Sequence, residues 1–284
     1  MMIKKIRYKT EALILKLFFF ILSLFSLKVS SEIGAILAKT IGPKLRSHNT
    51  AKKNFNFVFS SMTKLERDKY LLDMWENFGR TIAEYPFLCE YINNNRVTIE
   101  GQRILKELSN TNAIIFSGHF ANWEVMATIV SNIADLALVY RAPNNPYVDE
   151  MLRSYRNTIS LQQIPKGPLG AKAIVKTLKK GTILGMLVDQ KQNDGLSVPF
   201  FGKEAMSPSA IAKLSLKYNL PIIPVSIIRE KKINFKLIIH EKIEIDYNND
   251  NVLTVMLKVN NFLENSIKKN PSQWLWMHKR WKQD

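Results

Sequence analysis

A chain of 284 residues with 46% apolar side chains is long and greasy enough to bury a real core, which excludes wholesale disorder, collagen and a disulfide scaffold. Lys and Arg number 41 against 24 Asp and Glu, a formal charge of +17, so the expected partners are anionic: nucleic acid, phospholipid or an acidic protein. Only 11 of the basic residues are Arg and 30 are Lys, so the excess is not of the planar, bidentate type that specifies phosphate. The single cysteine, Cys89, excludes an intramolecular disulfide and any Cys-rich zinc site. Lying in the apolar run Tyr85-Pro86-Phe87-Leu88-Cys89, it reads as a buried structural thiol in a reducing, cytoplasmic setting.

The N-terminus opens with Lys4, Lys5, Arg7 and Lys9 ahead of an apolar run from Leu13 to Leu27, broken only by Lys16 and two serines. No small-x-small cleavage site follows, so residues 1–30 read as a retained membrane anchor rather than a removed signal peptide. Fifteen residues fall short of the ~20 that span a bilayer. Both spanning and lying in the interface stay open, and basic residues on both flanks leave topology undecided.

Residues 31–100 read as a helical collar. Thr63 and Glu66 form a capping box ahead of Leu65, Leu71, Leu72, Trp75 and Phe78, a helical spacing that Pro86 stops. From residue 101 to 284 the texture changes to short β-rich runs alternating with amphipathic helices. Strands are expected at 113–116, 136–140, 183–188, 222–228 and 235–245. Helices are expected at 122–133, 146–160, 171–180, 208–218 and 252–269, with Ser207 and Pro208 opening the fourth and Pro271 ending the last. The pattern predicts an α/β domain, a mixed sheet flanked by helices, carrying the N-terminal helical extension.

The chemistry concentrates in Phe116-Ser117-Gly118-His119-Phe120-Ala121-Asn122-Trp123-Glu124. A buried strand ends at Gly118, His119 follows on the turn, and Glu124 lies in the first turns of the next helix. There the carboxyl edge of a sheet opens a crevice, and helix N-terminal amides favour developing negative charge. A carboxylate hydrogen-bonded to the far imidazole nitrogen would make His119 a general base acting on a substrate hydroxyl, with Glu124 as that carboxylate. Arg141 follows an apolar strand and precedes a rigid Ala-Pro-Asn-Asn-Pro turn, suited to holding a guanidinium over the crevice. Asp189 sits at another strand's carboxyl end, positioned to orient Arg141 or an acceptor, or to cap a turn. His278, among Trp274, Trp276 and Trp281, reads as a packed or interfacial residue, in a segment that suits either a membrane interface or a fold-back onto the core. Lys172, Lys176, Lys179 and Lys180 share one helix arc, which is either a solvated face or a receiver for acidic protein or lipid phosphate.

Five blocks in order give the chain a resemblance to the bacterial lipid A biosynthesis acyltransferases, the late lauroyl/myristoyl transferases, within the wider group of His-x4-Asp/Glu glycerolipid acyltransferases. They are Gly118 to Glu124, Tyr140 to Pro146, Val188-Asp189-Gln190, Val198 to Gly202, and Pro271 to Trp281. The resemblance implies transfer of a fatty acyl group from an acyl carrier protein thioester to a hydroxyl of an anionic lipid A precursor of the Kdo-lipid IVA type. It implies His119 and Glu124 as catalytic residues, Arg141, Asp189 and Asn122 as substrate-binding residues, and no cofactor. It also implies a place at the bacterial inner membrane, with the catalytic domain on the cytoplasmic face.

No Gly-x-Ser-x-Gly elbow, metal-binding His-Glu-x-x-His or clustered carboxylate set is present. No helix-turn-helix, zinc finger or RNA-binding signature supports a nucleic-acid partner. Two other readings remain open: acyl transfer from acyl-CoA to another glycolipid or a glycerophospholipid, and a membrane-bound thioesterase or hydrolase in which His119 activates water.

Overall fold

The computed structural model describes residues 2–107, 111–159 and 161–282. The N-terminal third is helical: α1 (Met2–Ser23), α2 (Leu27–Ile41), α3 (Arg46–Val58), α4 (Lys64–Ala83) and the short α5 (Glu90–Asn93). Then follow β1 (Val97–Glu100), α6 (Gln102–Glu107), β2 (Ile114–Ser117), α7 (Trp123–Ile133), β3 (Leu136–Tyr140), α8 (Pro146–Asn157), β4 (Gln162–Pro165) and α9 (Pro168–Leu178). The chain continues through β5 (Ile183–Leu187), β6 (Leu196–Phe200), β7 (Lys203–Ser207), α10 (Ala210–Tyr218), β8 (Ile222–Lys231), β9 (Asn234–Ile239) and α11 (Val252–Lys269). Ser160, the last residue of one expected helix, lies outside the described residues.

Seven strands form one sheet in the order β1-β9-β8-β2-β5-β3-β4. The β8–β9 pair is antiparallel and the other pairs are parallel, so the sheet is mixed, as the alternating pattern predicts. Its centre is β2, every residue of which is buried, the signature of a strand covered on both faces. Alternation along the strands divides the core. Ile114, Phe116, Met186 and Val188 belong to a cluster with α10, α11 and the C-terminal tryptophans, and Ile115 and Ile183 belong to one with α7.

Local chemistry explains the element ends. The Thr63 hydroxyl and Glu66 carboxylate form the reciprocal capping box at α4. Asn251 caps α11, which spans the range expected from its periodicity, and Pro271 opens a single 3-10 turn beyond it. The start of α10 differs from expectation: Ser209 is its N-cap, and Ser207 closes β7, where its Oγ accepts from Arg280 at 2.6 Å. The block Val198 to Gly202 forms a β6–β7 hairpin, turned by Phe201 and Gly202, both at positive φ.

The N-terminal helix is not a detached element. Phe19 and Leu22 are buried, Phe19 stacks against Tyr85 and meets Tyr155 edge-on, and the Ser30 hydroxyl donates to the Leu22 carbonyl at 2.7 Å. The opposite side of α1 remains apolar and exposed through Leu13, Ile14, Leu17, Phe20, Ile21 and Leu24. Among the described residues no helix is long and apolar enough to cross a membrane. The α2 helix lies directly on α4: a Cβ on Gly34 would stand 2.4 Å from the Gly79 carbonyl oxygen, so only glycine permits this approach.

Cys89 departs from expectation. It is exposed at a helix start, with Sγ 3.3 Å from the Thr158 Oγ1, because the apolar neighbours Phe87 and Leu88 turn inward and leave it outside. The C-terminal segment folds back onto the core. Trp274, Trp276, Arg280 and Trp281 are buried, and the indole N–H groups are taken by protein acceptors, Trp276 Nε1 donating to the Pro271 carbonyl and Trp281 Nε1 to the Phe200 carbonyl.

Candidate active site

The site follows from register. Strands β2 and β5 are parallel neighbours with Ser117 opposite Leu187, so two residues further on, past both carboxyl ends, His119 comes opposite Asp189. Asp189 Oδ1 lies 2.8 Å from His119 Nδ1, while Oδ2 accepts the His119 backbone N–H at 2.9 Å and Trp274 Nε1 at 2.8 Å. Burial alone would raise the carboxyl's pKa. The positive field of the imidazole and these donated hydrogen bonds outweigh it and hold Asp189 at about 2. An ionised carboxylate only accepts, so Nδ1 is the ring nitrogen that donates to it, and Nε2 is the one turned to the cavity side. His119 is partly exposed, lies edge-on to Trp123 with ring centroids 5.1 Å apart, and has the Gln190 amide nitrogen 3.5 Å from Nε2.

The turn that presents His119 is fixed from several sides. A Cβ on Gly118 would lie 2.7 Å from Phe120 and 3.1 Å from Asp189. Ala121 has φ +42°, a strained value for a residue with a Cβ. Its N–H donates to the Gln273 carbonyl, and its carbonyl accepts from Asn77 and from the Thr81 hydroxyl. The C-terminal segment thus pins the turn on one side and α4 on the other.

Glu124, expected to hold the imidazole, is engaged elsewhere, which corrects that part of the reading. The Arg156 guanidinium grips it through Nε at 2.8 Å and Nη2 at 2.6 Å, and Tyr85 Oη and Trp123 Nε1 also donate to it. Glu124 is 3% exposed, and although burial opposes ionisation, the Arg156 pairing holds its carboxyl below the usual range. The α7 backbone carries its side chain down beside the helical collar, where Tyr85 and Arg156 meet it.

Asn122 is also corrected. It is fully buried, its Oδ1 caps α7 by accepting from Glu124 and Val125 N–H, and its Nδ2 donates to Glu84, so no polar atom is left for substrate. Asp189 is likewise consumed by His119 and Trp274 rather than by Arg141 or an acceptor. Arg141 is exposed and lines the cavity. His278 is packed: its Nδ1 accepts the Lys191 N–H at 3.3 Å, and burial lowers its pKa to about 4.

A cavity of about 380 Å³ opens beneath His119. Its body runs between the sheet and α7, past Met126, Val130, Leu136, Leu138 and Gly185, with the half-buried Arg156 on its wall and Arg141, Lys166 and Lys191 also lining it. Between Tyr140 at the rim and Leu136 at the floor, β3 covers about 13 Å at ~3.3 Å per residue. That is close to one leaflet, about half of the ~30 Å hydrocarbon thickness of a bilayer. Arg156 and Lys166 carried no local signal in the sequence, whereas Lys191 directly follows the Val188-Asp189-Gln190 block. A buried carboxylate such as Glu124 requires a cation, but which one it finds depends on how α8 docks.

A buried carboxylate thus holds a partly exposed histidine beside a cavity lined by apolar strand and helix residues and by several cations. The sequence matches the family model "Bacterial lipid A biosynthesis acyltransferase" over residues 3–283; the chain belongs to that family and is an O-acyltransferase. It is similar to the lipid A biosynthesis palmitoleoyltransferase of Escherichia coli (strain K12), 23% identical over 247 residues, covering 84% of this chain and 79% of the relative. It is also similar to the lipid A biosynthesis acyltransferase of Haemophilus influenzae, 22% identical over 241 residues, covering 82% and 76%.

Proposed function

We propose that the enzyme moves a fatty acyl group from an acyl carrier protein thioester to a hydroxyl of a lipid A precursor, working at the cytoplasmic face of the bacterial inner membrane. The observation that carries this reading is the Asp189–His119 pair, whose histidine lines a cleft with an apolar body between the sheet and α7.

With the acyl chain in the cleft, the thioester carbonyl sits at the mouth beside His119. The acceptor hydroxyl gives its proton to Nε2 as its oxygen bonds to the carbonyl carbon, forming a tetrahedral oxyanion. Collapse breaks the C–S bond, and the imidazolium returns the proton to the departing thiolate. Asp189 stabilises the imidazolium while it exists, and Trp274 fixes Asp189. No acyl-enzyme intermediate is required. Glu124 acts at one remove, neutralising and positioning Arg156 on the cavity wall. Arg141, Lys166 and Lys191 give the rim a positive field suited to an anionic glycolipid or an acidic carrier protein.

The apolar outer face of α1, continued by Val29, Ile36, Leu37 and Ile41 on α2, supports docking in the interface plane rather than spanning. The test is incubation of the purified enzyme in vesicles with a lipid A precursor and either an acyl carrier thioester or acyl-CoA, followed by mass measurement of the lipid. The expected result is a lipid heavier by one acyl group, formed faster from the carrier thioester. Release of free fatty acid at the same rate with and without acceptor would identify a hydrolase instead.

A further inference from the structure

The main cavity lies on one face of the sheet, and a second cleft of about 210 Å³ opens on the other, between the strands and helices α9 and α10. The covering helices separate them, Met126, Ala127 and Val130 of α7 lining only the first and Ile174, Ala210 and Ile211 of α9 and α10 only the second. Gly185 lines only the first and Val188 only the second, while Met186 and Leu187 at the carboxyl end of β5 border both. The second cleft is walled by Ile174, Val188, Ala210 and Ile211, and the two meet at a common rim that includes Val139, Lys166 and Pro208. Two apolar clefts therefore converge on one edge of the sheet, at the edge that carries Asp189 and His119.

Their chemistry differs in one respect. His119 and Ser117 line the first cleft and not the second, so the group whose carbonyl reacts must occupy the first. The second receives something apolar that stays close to the reaction without being transferred. A lipid acceptor has this property, since bringing its hydroxyl to His119 lifts part of its hydrocarbon out of the bilayer, and that part must be kept from water. We infer that the second cleft binds an alkyl chain of the lipid acceptor, so that the sheet edge separates the transferred chain from the acceptor's own. The inference rests on the acyl-transfer reading of the site.

The test uses full-length enzyme and acceptors whose alkyl chains are shortened stepwise. Wild-type KM for the acceptor should rise by up to about fourfold per methylene removed from the cleft, the factor for one buried CH₂. Ala171→Phe and Ala210→Phe fill the cleft from its two helical walls. Each should raise the acceptor KM at least tenfold and flatten its dependence on chain length, leaving the KM for the acyl donor unchanged. An acceptor carrying a photoreactive group at its chain terminus should label peptides of α9 and α10 in the unmodified enzyme. Wild-type chain-length dependence in both variants, a rise in donor KM instead, or labelling confined to α7 and β3 would overturn the inference while leaving acyl transfer intact. Failure of wild type to acylate any lipid would overturn the underlying reading and the inference with it.

Discussion

Asp189 and Glu124 are buried carboxylates beside one catalytic turn, and their partners divide their work. Asp189 faces an imidazole, the group proposed to take and return a proton, whereas Glu124 faces a guanidinium that stays charged throughout, its pKa pushed up by the pairing. Replacing Glu124 by Gln leaves the Arg156 charge buried without its counter-ion. The expected cost is about 3–5 kcal/mol of stability, measured as a lowered urea midpoint, in addition to lost activity. Full wild-type stability of Glu124→Gln would show that Arg156 is compensated elsewhere.

His278 supplies a pH prediction. Its folded pKa, about 4, lies below the ordinary 6.5 because burial disfavours the charged ring. Below pH 6.5 the unfolded chain binds a proton that the folded chain refuses, so stability falls as pH drops from about 6.5 to about 4. His278→Gln, which keeps an acceptor for the Lys191 N–H, should flatten that slope in urea titrations at successive pH values. An unchanged slope would assign the acid sensitivity to another group.

The sequence located His119 and Asp189 individually, each as the polar residue after an apolar run, and could not pair them. Their meeting depends on β5 lying next to β2, an order set by packing across the whole sheet. Glu124 was the nearer carboxylate in sequence, but five residues along a turn and helix carried it to a different neighbour. Asn122 illustrates the same point, since a polar residue within a catalytic block can be wholly occupied as a helix cap.

At the scale of elements, the readable strands are those with continuous apolar runs: β2, β3, β5, β8 and the first half of the expected run at 235–245. The edge strands β1 and β4, with alternating or mostly exposed residues, and the β6–β7 hairpin carry too little apolar signal to stand out. Helices with strong caps were readable almost to the residue, as at α11. The first helix shows where periodicity misleads, because an apolar stretch reads alike whether its partner is lipid or protein. Phe19 and Leu22 face protein, while Leu17 and Phe20 face outward. Leu17→Glu with Phe20→Glu should therefore keep the melting temperature within a few degrees and move the protein off anionic vesicles in a flotation assay. Removal of residues 1–29 strips Phe19, Leu22 and Leu27 from the core and should lower the melting temperature sharply. Undiminished vesicle binding by the double Glu variant would place the membrane contact elsewhere.

For the molecule as a whole, fold and chemistry share one edge. The mixed sheet brings two strand ends together, the C-terminal segment locks them through Trp274 and Gln273, and the helical collar supplies Tyr85, Asn77 and Thr81 from behind. The +17 charge then acts at long range, raising the local concentration of anionic partners, an effect that weakens as salt shortens the Debye length.

The central claim is that Asp189 works through His119 as one proton-handling unit, and a double-variant cycle tests it most directly. Acyl transfer from carrier thioester to lipid acceptor should be measured for wild type, His119→Ala, Asp189→Asn and the double variant, with folding checked by circular dichroism. Each single change is predicted to lower kcat by about 10² to 10⁴-fold, and the double variant should be little worse than His119→Ala alone. Near-wild-type transfer by a folded His119→Ala enzyme, or fully multiplicative losses in the double variant, would contradict the account.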